Sequence, residues 1–337
     1  MKPAILGTGG YIPARRLTRA ESIAHAGPNN PLVRHPMFQP PAARHVASRD
    51  QTGVDLLVAA TAGLRSQVGD DLVAGVELLI TYNGLPDVPF LGSGATLAAQ
   101  LGISPQSIFD IHNGHCSILP HMFDIATTIM TQKNQCSALL CISQNAARIW
   151  QQPGVRQSAH AWLPGDGAAV VLLGAEDQER PTLLSTVVHH YPEYSNEMGI
   201  TLDDGRLYWE PGTSEMDIYF DAAKAEAIID RGSKILPAAV QAACDNAGIS
   251  IREVSKLITN QPNRMLLRNW STALGVSADD HLETFDSYGN MFGAAAPVTL
   301  DAAAKSGKLD DGSIVVVAGF AGAGEMAGAS VIEWHSS

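Results

Sequence analysis

The feature of this 337-residue chain that most constrains its fold is an internal duplication. Residues 77–116 contain a predicted apolar strand, a helical stretch with a Leu-Gly pair, a predicted strand with a Phe-Asp pair and a glycine turn that ends at Cys116. Residues 254–290 repeat the same features in the same order, and their glycine turn ends at Asn290. Chance can produce one shared tripeptide, but it does not produce such an ordered series. The chain therefore consists of two related halves.

Both halves continue alike after these segments. A further apolar strand is expected at residues 137–143 in one half and 313–318 in the other, each followed by a glycine-rich hairpin and a final apolar strand. Strands that alternate with helices indicate α/β layers. We predict an N-terminal half at 1–174, which carries Cys116, and a C-terminal half at 175–337.

The helical stretches indicate how these layers stack. Three of them carry few charges, and such helices belong between sheets rather than on a surface; they cover residues 56–64, 118–130 and 294–304. We therefore predict a duplicated five-layer α/β/α/β/α sandwich. A longer helix is predicted over 221–247, bent or broken near Pro237. The segments 26–47 and 189–216 look like loops, which is where substrate entrances are built.

Composition excludes several classes of function. A net charge of −12 argues against nucleic-acid binding, and hydrophobic residues at 45% with charged residues at 17% indicate a well-buried globular protein. The four cysteines form no CxxC pair, so we expect reduced thiols, a cytoplasmic location and no metal site. Neither a signal peptide nor a membrane-spanning run is evident, and no membrane partner is expected.

Cys116 is the first candidate for chemistry. It lies where an apolar strand meets a small-residue turn and an apolar helix, and a helix N-terminus stabilises a thiolate. On position alone, a small buried cysteine is the safer interpretation. The duplication changes this, because Asn290 takes the matching turn and Asn260 and Asn263 follow the second copy's first strand. A thiol that meets several amides suits acyl transfer.

The motifs also carry a family resemblance over nearly the whole chain. They are the Cys116 turn, Gly165-Asp-Gly-Ala, Leu257-Ile-Thr-Asn-Gln-Pro-Asn, Tyr288-Gly-Asn-Met-Phe-Gly and the glycine-rich loop 319–328. The chain resembles the thiolase superfamily, most closely β-ketoacyl-ACP synthase III and its relatives in specialised metabolism. The resemblance implies a homodimer in which Cys116 takes the acyl group and Asn290 matches the family asparagine. It also implies an oxyanion hole made by the N–H of Cys116 and one from 322–324, with Ala323 preferred to Gly322.

One departure from the family pattern concerns the base. The family sequence His-Gln-Ala-Asn is Asn260-Gln-Pro-Asn263 here, and an asparagine cannot exchange a proton at neutral pH. Acyl transfer to an amine or alcohol then needs a base from elsewhere, and we prefer His189 or His190, in a region that lines the family's acyl pocket. Four other histidines are candidates for the base, although a histidine in such a position is more often a hydrogen-bonded or surface residue than a catalytic one. They are His112, His115, His121 and His160.

The identity of the acyl donor rests on two weaker patterns. Residues 36–47 match the family's CoA-binding segment poorly, so a carrier-protein donor gains weight over CoA. Arg264 and Arg268 could form the basic patch that an acidic carrier needs, or a solvated helix face. The donor is a phosphopantetheine-borne thioester or acyl-CoA, and no separate cofactor is expected. The apolar strand 138–143 is expected to be buried on both faces or to lie at a dimer interface.

These observations leave three functions open. We favour a ketosynthase III-like acyltransferase that passes the acyl group from Cys116 to a small-molecule acceptor in polyketide or other specialised biosynthesis. The first alternative is a decarboxylating β-ketoacyl-ACP synthase III of fatty-acid biosynthesis, which forms a C–C bond with malonyl-ACP. The second is a non-catalytic partner of a heterodimer, against which the joint retention of Cys116 and Asn290 speaks.

Overall fold

Fourteen strands are formed in the part of the chain that the computed structural model describes, namely residues 2–26, 36–88, 90–152, 161–195, 197–202, 204–207, 209–214, 216–220 and 225–336. In chain order these are β1 (Ala4–Tyr11), β2 (Arg15–Thr18), β3 (Ala43–Val46), β4 (Leu78–Asn83), β5 (Ser107–Asp110), β6 (Ser137–Gln144), β7 (Gly167–Gly174), β8 (Thr182–His190), β9 (Met198–Leu202), β10 (Met216–Phe220), β11 (Val254–Thr259), β12 (His281–Leu282), β13 (Ile314–Ala321) and β14 (Met326–Glu333).

The duplication is visible in the order of the strands. One run is β1-β7-β6-β4-β5 and the other is β8-β14-β13-β11-β12, so each strand has a counterpart at the same place. The two runs are joined into a ten-stranded sheet through the pairing of Ala4 with Thr182. The strands β2 and β3, and β9 and β10, form separate two-stranded ribbons. The division into halves at residue 174 stays a prediction, and it falls between β7 and β8.

The helices sort into three layers around these strands. They are α1 (Arg19–Ala26), α2 (Gly53–Val68), α3 (Asp70–Ala74), α4 (Gly94–Leu101), α5 (Ile118–Lys133), α6 (Ala225–Ala247), α7 (Arg264–Leu274), α8 (Phe285–Tyr288) and α9 (Ala295–Lys305). Helices α5 and α9 contact strands of both runs, whereas α2 and α4 cover the first run and α6 and α7 the second. The predicted five-layer, thiolase-like fold is confirmed.

Burial of apolar side chains holds the middle layer in place. Met122 and Phe123 of α5 and Leu300 of α9 are fully buried between the two runs of strands. Burying a side chain of this size contributes about 1.5–3 kcal/mol. Helix α2 begins at a capping box in which the Thr52 side chain accepts the Asp55 N–H and the Asp55 side chain accepts the Thr52 N–H.

Several local predictions were wrong. Helix α2 lies on the outer face of the first run and not between sheets, because its apolar face packs on β1, β6 and β7. In the second copy the Phe-Asp pair lies in α8 rather than in a strand. The segments predicted as loops contain β3 and β9, although residues 27–35 lie outside the described residues. Helix α6 is continuous through Pro237, so the predicted break is wrong, whereas the alternative of a bend there stays a prediction.

The topology brings several chain segments to one edge of the molecule. Strands β4, β5 and β6 run parallel, as do β11, β12 and β13, so the segments that follow them leave at the carboxyl ends. These segments include the Cys116 turn, the Asn260 segment and the loop after β13. Parallel strands are usually covered on both faces. Strand β6 also lies away from the sheet edge, because it pairs with β4 on one side and with β7 on the other.

Candidate active site

The Cys116 turn is held in a conformation that aims the thiol inward. After β5, Gly114 and His115 both take positive φ angles, 115° and 41°, and Cys116 then lies in a single 3-10 turn that leads into α5. A Cβ at Gly319 would come within 2.5 Å of the Cys116 carbonyl oxygen, so β13 passes directly against this turn. Only 9% of Cys116 is exposed.

The backbone N–H of Gly322 and the side-chain amide of Asn260 lie close enough to the Cys116 sulfur to lower its pKa. Asn260 Nδ2 also donates to the Phe320 carbonyl oxygen at 3.4 Å. The buried Asn260 follows β11, and its Oδ1 accepts the N–H of Phe320 at 3.0 Å. The sequence predicted Ala323 as the preferred backbone donor, but its N–H donates to Glu325 Oε2 at 2.9 Å. Gly322 therefore supplies the N–H that faces the sulfur.

The thiol is not the stabilised thiolate that the helix N-terminus led us to expect. Burial, followed by the negative charge of Glu325, raises the pKa of Cys116 to about 12, although the Gly322 N–H and the Asn260 amide oppose this rise. Burial disfavours the charged form, and at this position it outweighs the hydrogen bonds. Cys116 is therefore a neutral thiol at physiological pH and must lose its proton in order to react.

Asn290 lies at the same cavity as Cys116, as the duplication predicted for its turn. Its backbone is fixed by pairing with Leu163 and Gly165, and its Oδ1 accepts the N–H of Phe292 at 2.9 Å. The Nδ2 group has no hydrogen-bond acceptor among the described residues. Asn290 can therefore donate a hydrogen bond to a bound carbonyl without a competing partner.

A cavity of about 350 Å³ opens at Cys116. Besides Cys116, Asn260 and Asn290, its wall includes Asn263, His115, Tyr82 and Glu325, and much of the remainder is apolar, including Phe38, Ile149, Trp150, Leu266 and Phe292. Such a lining fits the hydrocarbon part of an acyl group. A second cavity, of about 590 Å³, lies on another face beside Asp71, Cys136 and Glu176. It brings three carboxylates, those of Asp71, Glu176 and Asp177, close to an exposed cysteine, and none of the asparagines found at Cys116 lines it.

The structure does not bring His189 and His190 to this cavity. Both end strand β8, where they pair in register with Ala327 and Met326 of β14, and neither lines the cavity wall. The ring of His190 instead lies 5.7 Å from the ring of His121. Neither histidine is therefore placed to act as the base at Cys116. His112 and His121 do not line the cavity either, and His160 lies outside the described residues.

The remaining predicted residues lie in the first turns of α7, at and after its N-cap. Asn263 caps this helix by accepting the Leu266 N–H at 2.9 Å, so its oxygen is already engaged. Arg264 forms an ion pair with Asp286, which neutralises much of its charge. Arg268 is exposed on the next turn of α7. Neither arginine lines the cavity.

Glu325 and Tyr82 are the residues of the site that the sequence did not single out. Glu325 had one detectable signal, because it is the only charged residue between positions 312 and 332. Tyr82 is the second-last residue of the fully buried strand β4 and is 4% exposed. Burial, with Cys116 nearby, raises the pKa of its hydroxyl. Nothing in its sequence context distinguishes Tyr82 from a core residue.

Comparisons with known proteins agree with this geometry. Residues 244–334 match the family described as 3-oxoacyl-[acyl-carrier-protein (ACP)] synthase III C terminal. The chain is 29% identical to the β-ketoacyl-[acyl-carrier-protein] synthase III of Desulfitobacterium hafniense over 346 residues, covering 98% of this chain and 97% of the relative. The chain is therefore similar over nearly its whole length to β-ketoacyl-[acyl-carrier-protein] synthase III. The predicted resemblance is thus confirmed.

Solved structures share the fold of this ketosynthase III-like protein. The 3-oxoacyl-(acyl carrier protein) synthase III, FabH, of Pseudomonas aeruginosa superimposes with a TM-score of 0.84 at 21% identity, covering 99% of both chains. Cerulenin-bound OleA of Xanthomonas campestris gives 0.83 at 18% identity, covering 99% of this chain and 97% of OleA. The prediction of an enzyme of the acyltransferase class is confirmed at the level of the ketosynthase III-type condensing enzymes.

The described residues contain neither a helix that could span a membrane nor a cluster of side chains that could hold a metal ion. None of the described helices combines the length and apolarity needed to cross a bilayer. No group of three or more histidine, cysteine, aspartate or glutamate side chains within the described ranges is arranged to hold a metal ion.

Proposed function

We propose that this protein is an acyl-transferring enzyme of the ketosynthase III type, which loads an acyl group on Cys116 and passes it to a second substrate in polyketide or other specialised biosynthesis. One observation carries the proposal. A buried thiol faces the Gly322 N–H and the Asn260 amide at the base of a largely apolar cavity, while an asparagine holds the place of the family histidine.

The first half-reaction follows from these contacts. The thioester carbonyl binds beside Gly322 and Asn260, and the Cys116 sulfur attacks its carbon. The oxyanion that develops accepts hydrogen bonds from donors that are already oriented and need no reorganisation. When the intermediate collapses, the carbon–sulfur bond of the donor breaks, the acyl group stays on Cys116 and the donor leaves as a thiol. No cofactor other than the thioester itself takes part.

The second half-reaction separates two candidate functions. Transfer to an amine or alcohol requires a base, whereas decarboxylative condensation with a malonyl thioester requires hydrogen bonds to an enolate oxygen, which Asn260 and Asn290 could donate. We favour transfer because Glu325, which lines the cavity, places a negative charge beside the reacting sulfur. That charge disfavours a second carboxylate in the same cavity.

The names of the similar proteins and the charge of α7 both bear on which thioester is the acyl donor. The similar proteins are named as acyl-carrier-protein synthases, which supports a carrier-protein thioester as the donor. The exposed Arg268 is the cation of α7 that remains available to an acidic carrier, since Arg264 is paired with Asp286. We propose the cytoplasm as the compartment, in keeping with the free cysteines.

We also propose a homodimer, joined through the β5 edge of the sheet. Ile108 and Phe109 of this edge strand are 38% and 40% exposed, and Phe90 and Leu91 next to it are more exposed still. An exposed apolar edge strand is a template for pairing with another chain. A second copy that pairs along β5 would cover these side chains and continue the sheet.

A chase of the acyl-enzyme tests the proposed function. The enzyme is loaded from a panel of acyl carrier-protein and acyl-CoA thioesters, freed of donor, and mixed separately with malonyl carrier protein and with a panel of amines and alcohols. We expect loss of the adduct with an amine or alcohol, and little release of CO₂ from malonyl carrier protein. Rapid CO₂ release with C–C product would instead identify a decarboxylating synthase, and the absence of any adduct a scaffold subunit. In Asn260→His we expect malonyl decarboxylation to appear.

A further inference from the structure

The side chain of Glu325 stands beside the nucleophile, in a site whose usual histidine is replaced. The loop after β13 turns back on itself between Ala321 and Glu325, so that Glu325 reaches the cavity that contains Cys116. The Glu325 side chain is 24% exposed, and it is the only carboxylate among the described residues that line this cavity. Among the described residues of the cavity wall, the proton acceptors are thus this carboxylate and the imidazole of His115.

The loop holds this carboxylate in a defined position. Glu325 Oε2 accepts the N–H of Ala323 at 2.9 Å, and Oε1 lies 3.9 Å from His115 Nε2. Gly322 has a φ of 50°, and a Cβ there would lie 2.2 Å from Glu325 Oε1. The absence of a side chain at Gly322 therefore lets one loop present both an N–H donor and a carboxylate to Cys116.

Electrostatics favour a direct proton transfer between these two groups. The charge of Glu325 contributes to the high pKa of Cys116, so a free thiolate next to an ionised Glu325 is strongly disfavoured. If the thiol proton moves to Glu325 as the sulfur attacks, the cavity keeps one negative charge throughout, which passes from the carboxylate to the oxyanion. The same group that suppresses a free thiolate can therefore remove the proton during attack.

The other titratable groups around this loop are engaged elsewhere or uncharged. Arg231 donates to the Ala323 carbonyl oxygen and pairs with Glu197, which anchors the loop from its outer side. His190 of the neighbouring strand contacts His121. Tyr82 is held as a neutral phenol by burial. His115 is the one titratable side chain that approaches the carboxylate itself.

We propose that Glu325 is the catalytic base, and that it accepts the proton of the Cys116 thiol during loading and the proton of the acyl acceptor during transfer. This inference rests on the proposed acyl transfer. In loading, the S–H bond breaks, the S–C bond to the acyl group forms, and the proton passes through Glu325 to the departing thiolate of the donor. In transfer, an acceptor H–X loses its proton to Glu325 and X bonds to the acyl carbon. The bond between that carbon and the Cys116 sulfur then breaks, and Glu325 returns the proton to the sulfur.

The proposal also defines the class of the acceptor. The acceptor needs a proton that it loses on reaction, as an alcohol or amine does, and it should carry no carboxylate at the reacting end. A malonyl group brings a carboxylate that Glu325 repels. The base thus disfavours decarboxylative condensation and favours formation of an ester or amide.

The test uses Glu325→Gln, which keeps an oxygen to accept the Ala323 N–H but cannot take a proton. Two rates are measured on the full chain against pH, namely alkylation of Cys116 by iodoacetamide and acylation by whichever thioester loads the wild type. We expect alkylation at a given pH to become faster, because removal of a neighbouring charge lowers the thiol pKa. We expect acylation at pH 7 to slow about 100-fold, within the range for loss of a general base.

A loop disturbed by Glu325→Gln would let water reach Cys116 and would also lower the thiol pKa, so the separating result is recovery of acylation in Glu325→Asp, which restores a carboxylate. Glu333→Gln, at the far end of β14, is the matched control and should change neither rate. Glu325→Asp should recover part of the acylation rate, and it serves if Glu325→Gln proves unfolded by circular dichroism.

The two proposals fail in different ways. Absence of any adduct on wild-type Cys116 would overturn the acyl-transfer function. Wild-type loading that persists within about threefold in Glu325→Gln would overturn the role of Glu325 alone, since general bases contribute far more than this. Alkylation that is no faster in Glu325→Gln than in the wild type at the same pH would likewise contradict the placement of its charge at Cys116.

Discussion

The reactivity of Cys116 toward an alkylating agent should rise with pH far beyond the range of an ordinary cysteine. Burial and Glu325 raise the pKa of the thiol to about 12 from a reference of 9.0, and three pKa units correspond to about 4 kcal/mol of preference for the neutral form. At pH 7.5 the thiolate fraction is then about 1000-fold smaller than that of an unperturbed thiol, and alkylation slows in proportion because the thiolate is the nucleophile.

The assay is iodoacetamide alkylation followed by mass spectrometry, in a Cys136→Ser background that removes the exposed cysteine. The logarithm of the rate should rise by about one unit per pH unit from pH 6 to 10 without a plateau, because the thiol pKa lies above this range. The same background with Cys116→Ser measures any contribution from the other buried cysteines. A plateau with a midpoint below about pH 8 would show a stabilised thiolate and refute the reasoning from burial.

Two further predictions concern the scaffold. Asp166 accepts two buried backbone N–H groups, so Asp166→Asn leaves one without an acceptor and should lower the free energy of unfolding by about 1–3 kcal/mol in urea titrations; an unchanged midpoint would contradict this. Burial raises the pKa of Asp166 to about 6, so its contribution to stability should decrease as pH rises from about 4 to about 6, a dependence absent in the variant. Replacing Ile108 and Phe109 together by glutamate should halve the mass measured by light scattering, whereas Leu72→Glu on another surface should not; a wild-type monomer would refute the dimer.

The features that were predicted correctly from the sequence are those whose sequence pattern is local and occurs once in each half. The placing of Asn290 at the same cavity as Cys116 follows from two matching turns in two matching halves, and no long-range geometry is needed to infer it. The five-layer fold follows in the same way from alternating strands and nearly uncharged helices. The wrong assignments of α2 and α8 arose because the sequence pattern fits two structures in each case. An apolar helix can lie between sheets or on the outer face of one, and a Phe-Asp pair can lie in a strand or in a helix.

The features that the sequence could not predict depend on contacts between distant segments. The register between β8 and β14 turns His190 toward His121 and leaves the cavity to Glu325, and no property of the sequence around position 190 encodes that register. The choice between Gly322 and Ala323 as the donor depends on the carboxylate that occupies the Ala323 N–H. The thiol pKa depends on burial, which a helix-terminus argument leaves out.

The most direct test of the account is to locate the acyl group after incubation with the donor panel. Intact-mass measurement followed by peptide mapping should find one acyl group per chain on the peptide that contains Cys116. The adduct should be lost in Cys116→Ala and kept in Cys136→Ser. An adduct on Cys136, or none from any carrier-protein or CoA donor, would contradict the claim that Cys116 carries the acyl group.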